Sequence, residues 1–291
     1  MAAKSNVDAH TGVETTGHEW DGIQELNKPL PRWWLYIFYV TIIFAVVYWI
    51  AYPAFPMLTD YTRGMLGYSQ RTRVNESVAG SRSEQNPYNA KIAAASLDEI
   101  RADPGLLQFA LAGGRAAFAN NCAGCHGRGA QGAIGYPNLN DDNWIWGGTL
   151  DAIHETIRHG IRNGSDQARL SQMPRFGLDN LLTAEQIADT AEYVRSLSNL
   201  PHNGEAAKRG QAIFAGEGAC TSCHGDAGKG NPEVGAPNLT VNIWTYGGSK
   251  DAIVTSITTG RGGVMPGWEG RLDAETIKKL AVYVHSLGGG Q

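Results

Sequence analysis

The chain has 291 residues, 18% of them charged, and a formal net charge of -4. That length allows one large domain or two to three small ones, and so mild a charge excludes the basic footprint of a nucleic-acid partner. With 4 cysteines it is not a disulfide-dense scaffold, while 37 glycines, above the usual share of roughly 7%, point to close backbone approaches.

In chain order, residues 1–32 read as a polar N-terminal segment. Residues 33–52, WWLYIFYVTIIFAVVYWIAY, carry no charge. As a helix at about 1.5 Å per residue they cover roughly 30 Å, the bilayer hydrocarbon. Trp33, Trp34 and Tyr36 mark one interface, and Tyr48, Trp49 and Tyr52 the other. Pro53 and Pro56 stop the helix. The run is too long and starts too late for a cleavable signal peptide, so it reads as an uncleaved anchor. Lys28 and Arg32 before it balance Arg63 and Arg71 after it, so charge alone does not orient it. Residues 53–108 read as a connecting segment, with a short helix between Asp98 and Leu107.

Beyond the connecting segment the pentapeptide Cys-X-X-Cys-His occurs twice, at Cys122, Cys125 and His126 and again at Cys220, Cys223 and His224. This is the attachment pattern of c-type haem. Two thiols add across the vinyl groups, and the histidine one helical turn from the first cysteine binds the iron. A four-thiolate zinc site wants closer pairs and no histidine after each. A thioredoxin-like motif wants a βαβ flank, and two-residue spacing suits a structural disulfide poorly. The expectation is two covalently bound haem c groups and a protein that carries electrons.

The motifs belong to a duplicated unit. Gly114–Phe118 matches Gly210–Phe214, and Pro137-Asn138-Leu139 matches Pro237-Asn238-Leu239. Gly147-Gly148, Asp151–Ile153, Met173-Pro174, Leu182–Glu185 and Tyr193-Val194 recur in order at Gly247-Gly248, Asp251–Ile253, Met265-Pro266, Leu272–Glu275 and Tyr283-Val284. Each copy predicts three main helices: one into the haem motif, one from Leu150 or Lys250, and one capped by Thr183 or Asp273. Thr183 with Gln186 makes a capping-box pattern. Ile187, Ala191, Val194 and Leu197, and Ile277, Leu280, Val284 and Leu287, give the last helices an apolar face. Tyr193 and Tyr283 are expected to pack as core residues on the first helix.

Each copy holds a single methionine, Met173 or Met265, in a loop before proline. With His126 and His224 as proximal ligands, these are the candidate second axial ligands, and a thioether raises the potential by favouring ferrous iron. His10, His18, His154, His159, His202 and His285 read as non-ligands. Six-coordinate iron favours electron transfer over substrate chemistry. Trp144, Trp146 and Trp244 are candidates for the haem edge or for plain pocket wall. Arg158, Arg162 and Arg175 are candidate propionate partners or solvated charges.

With these parts placed, the chain resembles the dihaem membrane subunit, CcoP or FixP, of cbb(3)-type cytochrome c oxidase. Gly17–Trp34, GHEWDGIQELNKPLPRWW, directly before the span, resembles the family's approach to its membrane helix. The resemblance implies an all-α fold, with one N-terminal transmembrane helix followed by two tandem class I cytochrome c domains at 109–198 and 205–291. In such domains a proline carbonyl meets the free nitrogen of the ligating histidine, a role that falls to Pro137 and Pro237. It also implies a bacterial inner-membrane protein with a cytoplasmic N-terminus and periplasmic haem domains. Its partners would be a cytochrome c donor or cytochrome bc complex, a monohaem cytochrome c subunit and the catalytic haem-copper subunit, where oxygen reduction is coupled to proton pumping. No catalytic site is expected in this chain. A free-standing, membrane-anchored dihaem shuttle is the alternative.

Overall fold

The computed structural model describes residues 7–288. It forms two compact units, residues 1–82 and 83–291.

In the first unit, β1 (Thr15–Trp20) pairs antiparallel with β2 (Ile23–Leu26), Trp20 opposite Ile23. Asp21 (φ 50°) and Gly22 (φ 81°) make the turn. Two central residues at positive φ match the twist of a hairpin, and Asp-Gly is a preferred pair there. An all-helical expectation passes over this element. Helix α1 (Arg32–Ala51) is the apolar segment, and none of its side chains is buried. Its last carbonyls would be orphans, but the chain returns and the amides of Met65 and Leu66 donate to Ile50 and Ala51. Gly64, at φ 70°, permits that return, because a Cβ there would strike the Ala51 and Tyr52 backbone. Helix α2 (Gln70–Ala94) follows, its residues divided between the two units, polar on all sides and mostly exposed.

The second unit holds the repeats. Helix α3 (Leu97–Ala102) opens on a Ser96–Glu99 capping box, and α4 (Pro104–Asn121) on Asp103 with proline at its first position. Then come α5 (Ala123–His126), α6 (Leu150–His159) and α7 (Ala184–Leu197). The second repeat supplies α8 (Gly204–Ala215), α9 (Thr221–His224), α10 (Lys250–Thr259) and α11 (Ala274–His285). Thr183 and Asp273 cap α7 and α11, and the Thr183–Gln186 box forms.

Helices do not pack by repeat. The last helix of the second repeat, α11, lies on α4 and α6 of the first, while α7 lies on α8 and α10 of the second. One core joins Leu106, Ala110, Phe118, Leu150, Ile153 and Ile157 to Ile277, Leu280, Val282 and Val284. The other joins Ile187, Ala191 and Val194 to Phe214, Ile253 and Ile257. Withdrawing α11 would expose its four large apolar side chains, on the order of 6–12 kcal/mol at about 1.5–3 each. That rivals the stability of a whole domain, about 5–15 kcal/mol. The tyrosines follow the exchange. Tyr283 meets Phe118 at 5.6 Å between ring centroids and Tyr193 meets Phe214 at 5.2 Å, so each packs on the first helix of the other repeat.

Candidate functional site

Each Cys-X-X-Cys-His segment is one helical turn. The His126 amide donates to the Cys122 carbonyl at 3.0 Å, and the His224 amide to that of Cys220 at 2.9 Å. Gly127 (φ 82°) and Gly225 (φ 73°) end the turns. In both repeats the first cysteine is half-buried and the second exposed. Burial, with the neighbouring Cys125, pushes the Cys122 thiol up to about 11. Burial does the same for Cys220, likewise to about 11. The pairs lie against different cores, Cys122 on the first and Cys220 on the second. Among the described residues no three His, Cys, Asp or Glu side chains gather to hold a metal ion.

The histidines are fixed from behind. His126 Nδ1 lies 3.0 Å from the Pro137 carbonyl, and His224 Nδ1 3.0 Å from that of Pro237. Because a carbonyl can only accept, Nδ1 carries the proton and Nε2 keeps its lone pair for a metal. Desolvation holds both imidazoles below their ordinary pKa, in the neutral form a metal needs.

Haem fits these residues. The indole Nε1 of Trp144 is buried without a partner at the edge of the first core, a donor awaiting an acceptor. Its counterpart in Trp244 donates to Asn242 at 3.2 Å. Met265 and Leu139 border the first core beside Cys122 and Trp144, and Met173 and Leu239 border the second beside Cys220 and Trp244. A soft sulfur and a neutral imidazole are the donor types that suit haem iron. The remaining histidines are engaged elsewhere where the partners are visible: His159 sits between Glu155 and Glu269, each 3.4 Å away, and His202 Nδ1 meets the Leu200 carbonyl.

None of the three candidate propionate arginines is unengaged. Arg158 pairs with Glu269 at 2.5 Å, Arg162 donates to the Gly263 and Ser171 carbonyls, and Arg175 binds Asp179. Two arginines missed by the sequence reading lie over aromatic rings, one in each repeat. The Arg169 guanidinium lies over Trp146, 5.1 Å from its centroid, and Arg261 lies over Tyr246 at 4.6 Å. Arg169 donates to the Ala152 carbonyl and Arg261 to that of Ala252. The signal was present as a repeated Arg-X-X-X-Met-Pro, Arg169 before Met173 and Arg261 before Met265.

Among the described residues, one exposed apolar helix and two proline-braced Cys-X-X-Cys-His turns define a membrane-anchored cytochrome of the c type. Comparison with known proteins makes this specific. Residues 12–59 match the N-terminal domain of cytochrome oxidase-cbb3, FixP, and residues 109–194 and 205–284 match the family described as cytochrome c oxidase, cbb3-type, subunit III. The chain is 53% identical to the cbb3-type cytochrome c oxidase subunit FixP of Bradyrhizobium sp. (strain ORS 278) over the full length of both. It is 54% identical to FixP of Azorhizobium caulinodans, covering 98% of this chain and 96% of that one. With CcoP of Azospirillum brasilense it shares 50%, covering 99% and 100%. The chain therefore belongs to the FixP/CcoP family, subunit III of cbb3-type cytochrome c oxidase. The match across the N-terminal segment sets aside the free-standing shuttle.

Proposed function

We propose that this subunit is the electron inlet of its oxidase, holding two covalently bound haem c groups through Cys122 and Cys125 and through Cys220 and Cys223. His126 and His224 are the proximal ligands, and Met173 and Met265 the second axial ligands. Bound there, each haem would supply reversible one-electron chemistry at a raised potential. The protein's part is to hold and tune. The Pro137 and Pro237 carbonyls orient the imidazoles and raise their basicity. The apolar cores exclude water, and Trp144 offers an indole N–H. The observation that carries the reading is the doubled proline-braced imidazole beside paired thiols.

The donor is a cytochrome c or a cytochrome bc complex, and the acceptors are the monohaem cytochrome c subunit and then the haem-copper catalytic subunit, which reduces oxygen and pumps protons. Helix α1 crosses the bacterial inner membrane once, with the N-terminus cytoplasmic and the haem domains periplasmic. What supports this topology is the length of α1, its aromatic ends and the outer-face attachment of c-type haem.

Purification of the chain from its native membrane in mild detergent, with haem and copper analysis and an oxygen-uptake assay, tests the proposal. The expected result is co-purifying b-type haem and copper with cyanide-sensitive oxygen consumption. Recovery of c-type haem alone, without oxidase activity in any fraction, would reject it.

A further inference from the structure

We propose that Arg162 is a positioning residue for both candidate axial methionines at once: its one side chain clamps the loops that carry Met173 and Met265, so that the two sulfur ligands hold or loosen together. This rests on reading both methionines as axial ligands and adds what keeps them in place.

The segment after α6 is built as a joint. Gly160 lies at φ 70° and Arg162 at φ 51°. A positive φ is uncommon away from glycine and persists only where the surroundings enforce it. Here hydrogen bonds on both edges do so. Ile161 and Met265 exchange backbone bonds, each amide donating to the other's carbonyl at 2.9 Å. On the other edge the Arg162 amide donates to the Arg169 carbonyl at 2.8 Å, and the Arg169 amide to that of Gly160 at 3.1 Å. The Asn163 side chain adds a bond to the Met265 carbonyl at 3.2 Å. From this frame the Arg162 side chain reaches both loops. Its Nε donates to the Gly263 carbonyl at 2.8 Å and its Nη1 to the Ser171 carbonyl at 2.6 Å. Each of those carbonyls lies two residues before a methionine. A planar guanidinium with its donors fixed in a fork suits two acceptors held at set positions, and a lysine does not.

The repeats do not share this device. Counted from the glycine that ends the second helix, the counterpart of Arg162 is Gly262, and a Cβ there would press on Arg162 Nε at 3.1 Å. Arg261 turns back instead, to Ser256 and the Ala252 carbonyl of α10. The loop before Met265 therefore holds Gly262 and Gly263, which have wide backbone freedom and no side chain to tether them. Arg162 supplies the tether. The loop before Met173 is the longer one, residues 161–172, and the contact from Arg162 near its start to Ser171 near its end closes it. Methionine is a neutral ligand on a flexible stem, so its place at an iron depends on its loop, and here one cation fixes two loops.

The test uses the full-length chain with both haems in the oxidised form. The long-wavelength sulfur-to-iron absorption reports bound methionine, and added imidazole competes for the same iron position. A parent without that band rejects the axial-methionine reading and the clamp with it. With the band present, Arg162→Met should let imidazole remove all of it at a concentration lower by about tenfold, the worth of a lost charge-assisted hydrogen bond. Arg162→Lys keeps the charge without the fork and should shift the titration the same way. Full rescue by lysine would mean that charge acts and not the clamp, and would overturn the proposal. Arg209→Met breaks the ion pair to Asp189, outside both loops, and should leave the titration unchanged. An equal shift there would mean a general loosening of the fold and would also overturn it. Because Arg162→Met could fail to retain haem, Gly262→Ala is a second route: it lies in the Met265 loop and presses on Arg162, and the clamp predicts easier displacement across the whole band. Easier displacement confined to half the band, or titrations that match the parent in every variant, rejects the joint hold.

Discussion

The two cores of the haem-binding unit have one plan and different fillings. The first is the larger, because Ile92, Leu97 and Ile100 from the segment before the repeats join it, and its α11 face is apolar. The second has no such addition and uses ion pairs at Asp189 and Glu192 where the first has Lys279 and Val282. A duplicated domain begins with interchangeable helices. Differences at facing positions are what make one arrangement of those helices better than the other.

The largest test of that contrast is at one equivalent pair, Leu280 and Thr190, which are 0% and 1% exposed. Leu280→Ala removes a packed side chain and should cost about 2–5 kcal/mol. Thr190→Ala removes a methyl and a hydroxyl that donates to the Gln186 carbonyl, worth about 1 kcal/mol. Denaturant unfolding followed by circular dichroism checks both, and equal shifts would contradict the difference in core size.

Next in size are the glycines at the helix crossings. A Cβ on Gly114 would meet the Lys279 carbonyl and Tyr283, and one on Gly210 the Asp189 carbonyl and Thr190. Alanine would gain about 1 kcal/mol of helix propensity. Forcing packed helices apart costs about 1–3 kcal/mol, and here the obstacle is backbone, so Gly114→Ala and Gly210→Ala should both destabilise. A stabilised variant in thermal unfolding would mean that the exchanged helices are not held this close.

Acidity and alkalinity should separate the cores further. Burial would raise the Glu192 carboxyl. The Lys250 hydrogen bond, the Asn203 amide and the charges of Lys250 and Arg195 outweigh it and hold the carboxyl below its ordinary 4.5. A depressed carboxylate stabilises above its unfolded pKa and stops doing so as pH falls through the folded value. The second core should therefore weaken below about pH 4.5, by about 1 kcal/mol since Lys250 is half-exposed. Glu192→Gln should flatten that limb. Lys279 goes the other way: burial holds it below its ordinary 10.5, against the charges of Asp273 and Glu275. The folded chain then releases the proton first, so the first core should strengthen as pH rises through the folded value toward 10.5. Lys279→Met should abolish the rise. Stability measured against pH in the two variants decides whether these two groups set the limbs.

What the sequence made legible was local. The anchor is an uncharged run, the haem turns are pentapeptides, and Thr183 and Asp273 cap within three residues. The proline carbonyls lie eleven and thirteen residues from the histidines they brace. Helix α2 escaped notice because it has no apolar face to give it a period. The hairpin escaped although Asp21-Gly22 is a strong turn signal. The exchange of helices was hidden for another reason. Both repeats carry the same apolar landmarks, so Tyr193 and Tyr283 fit either first helix equally well by pattern. Only Arg209 with Asp189, and Lys250 with Glu192, break the tie, and such pairs become visible when the two copies are read against each other.

The smallest expected effect sharpens the comparison most. Lys250→Leu with Glu192→Val writes the first core's pair, Leu150 and Val282, into the second. Either change alone leaves a mismatch: Lys250→Leu strands a carboxylate that is 8% exposed, and Glu192→Val removes the partner of a half-exposed ammonium. Together they replace an ion pair by apolar groups, which is often neutral or stabilising. The double variant should lie within about 1 kcal/mol of the parent, with a coupling energy of about 0.5–3 kcal/mol against the sum of the single changes. It should also lose the acid limb assigned to Glu192. A double variant that is additive and no better than the worse single change would mean that α7 and α10 do not face each other through these residues, and the charge argument for exchanged repeats would lose one of its two supports.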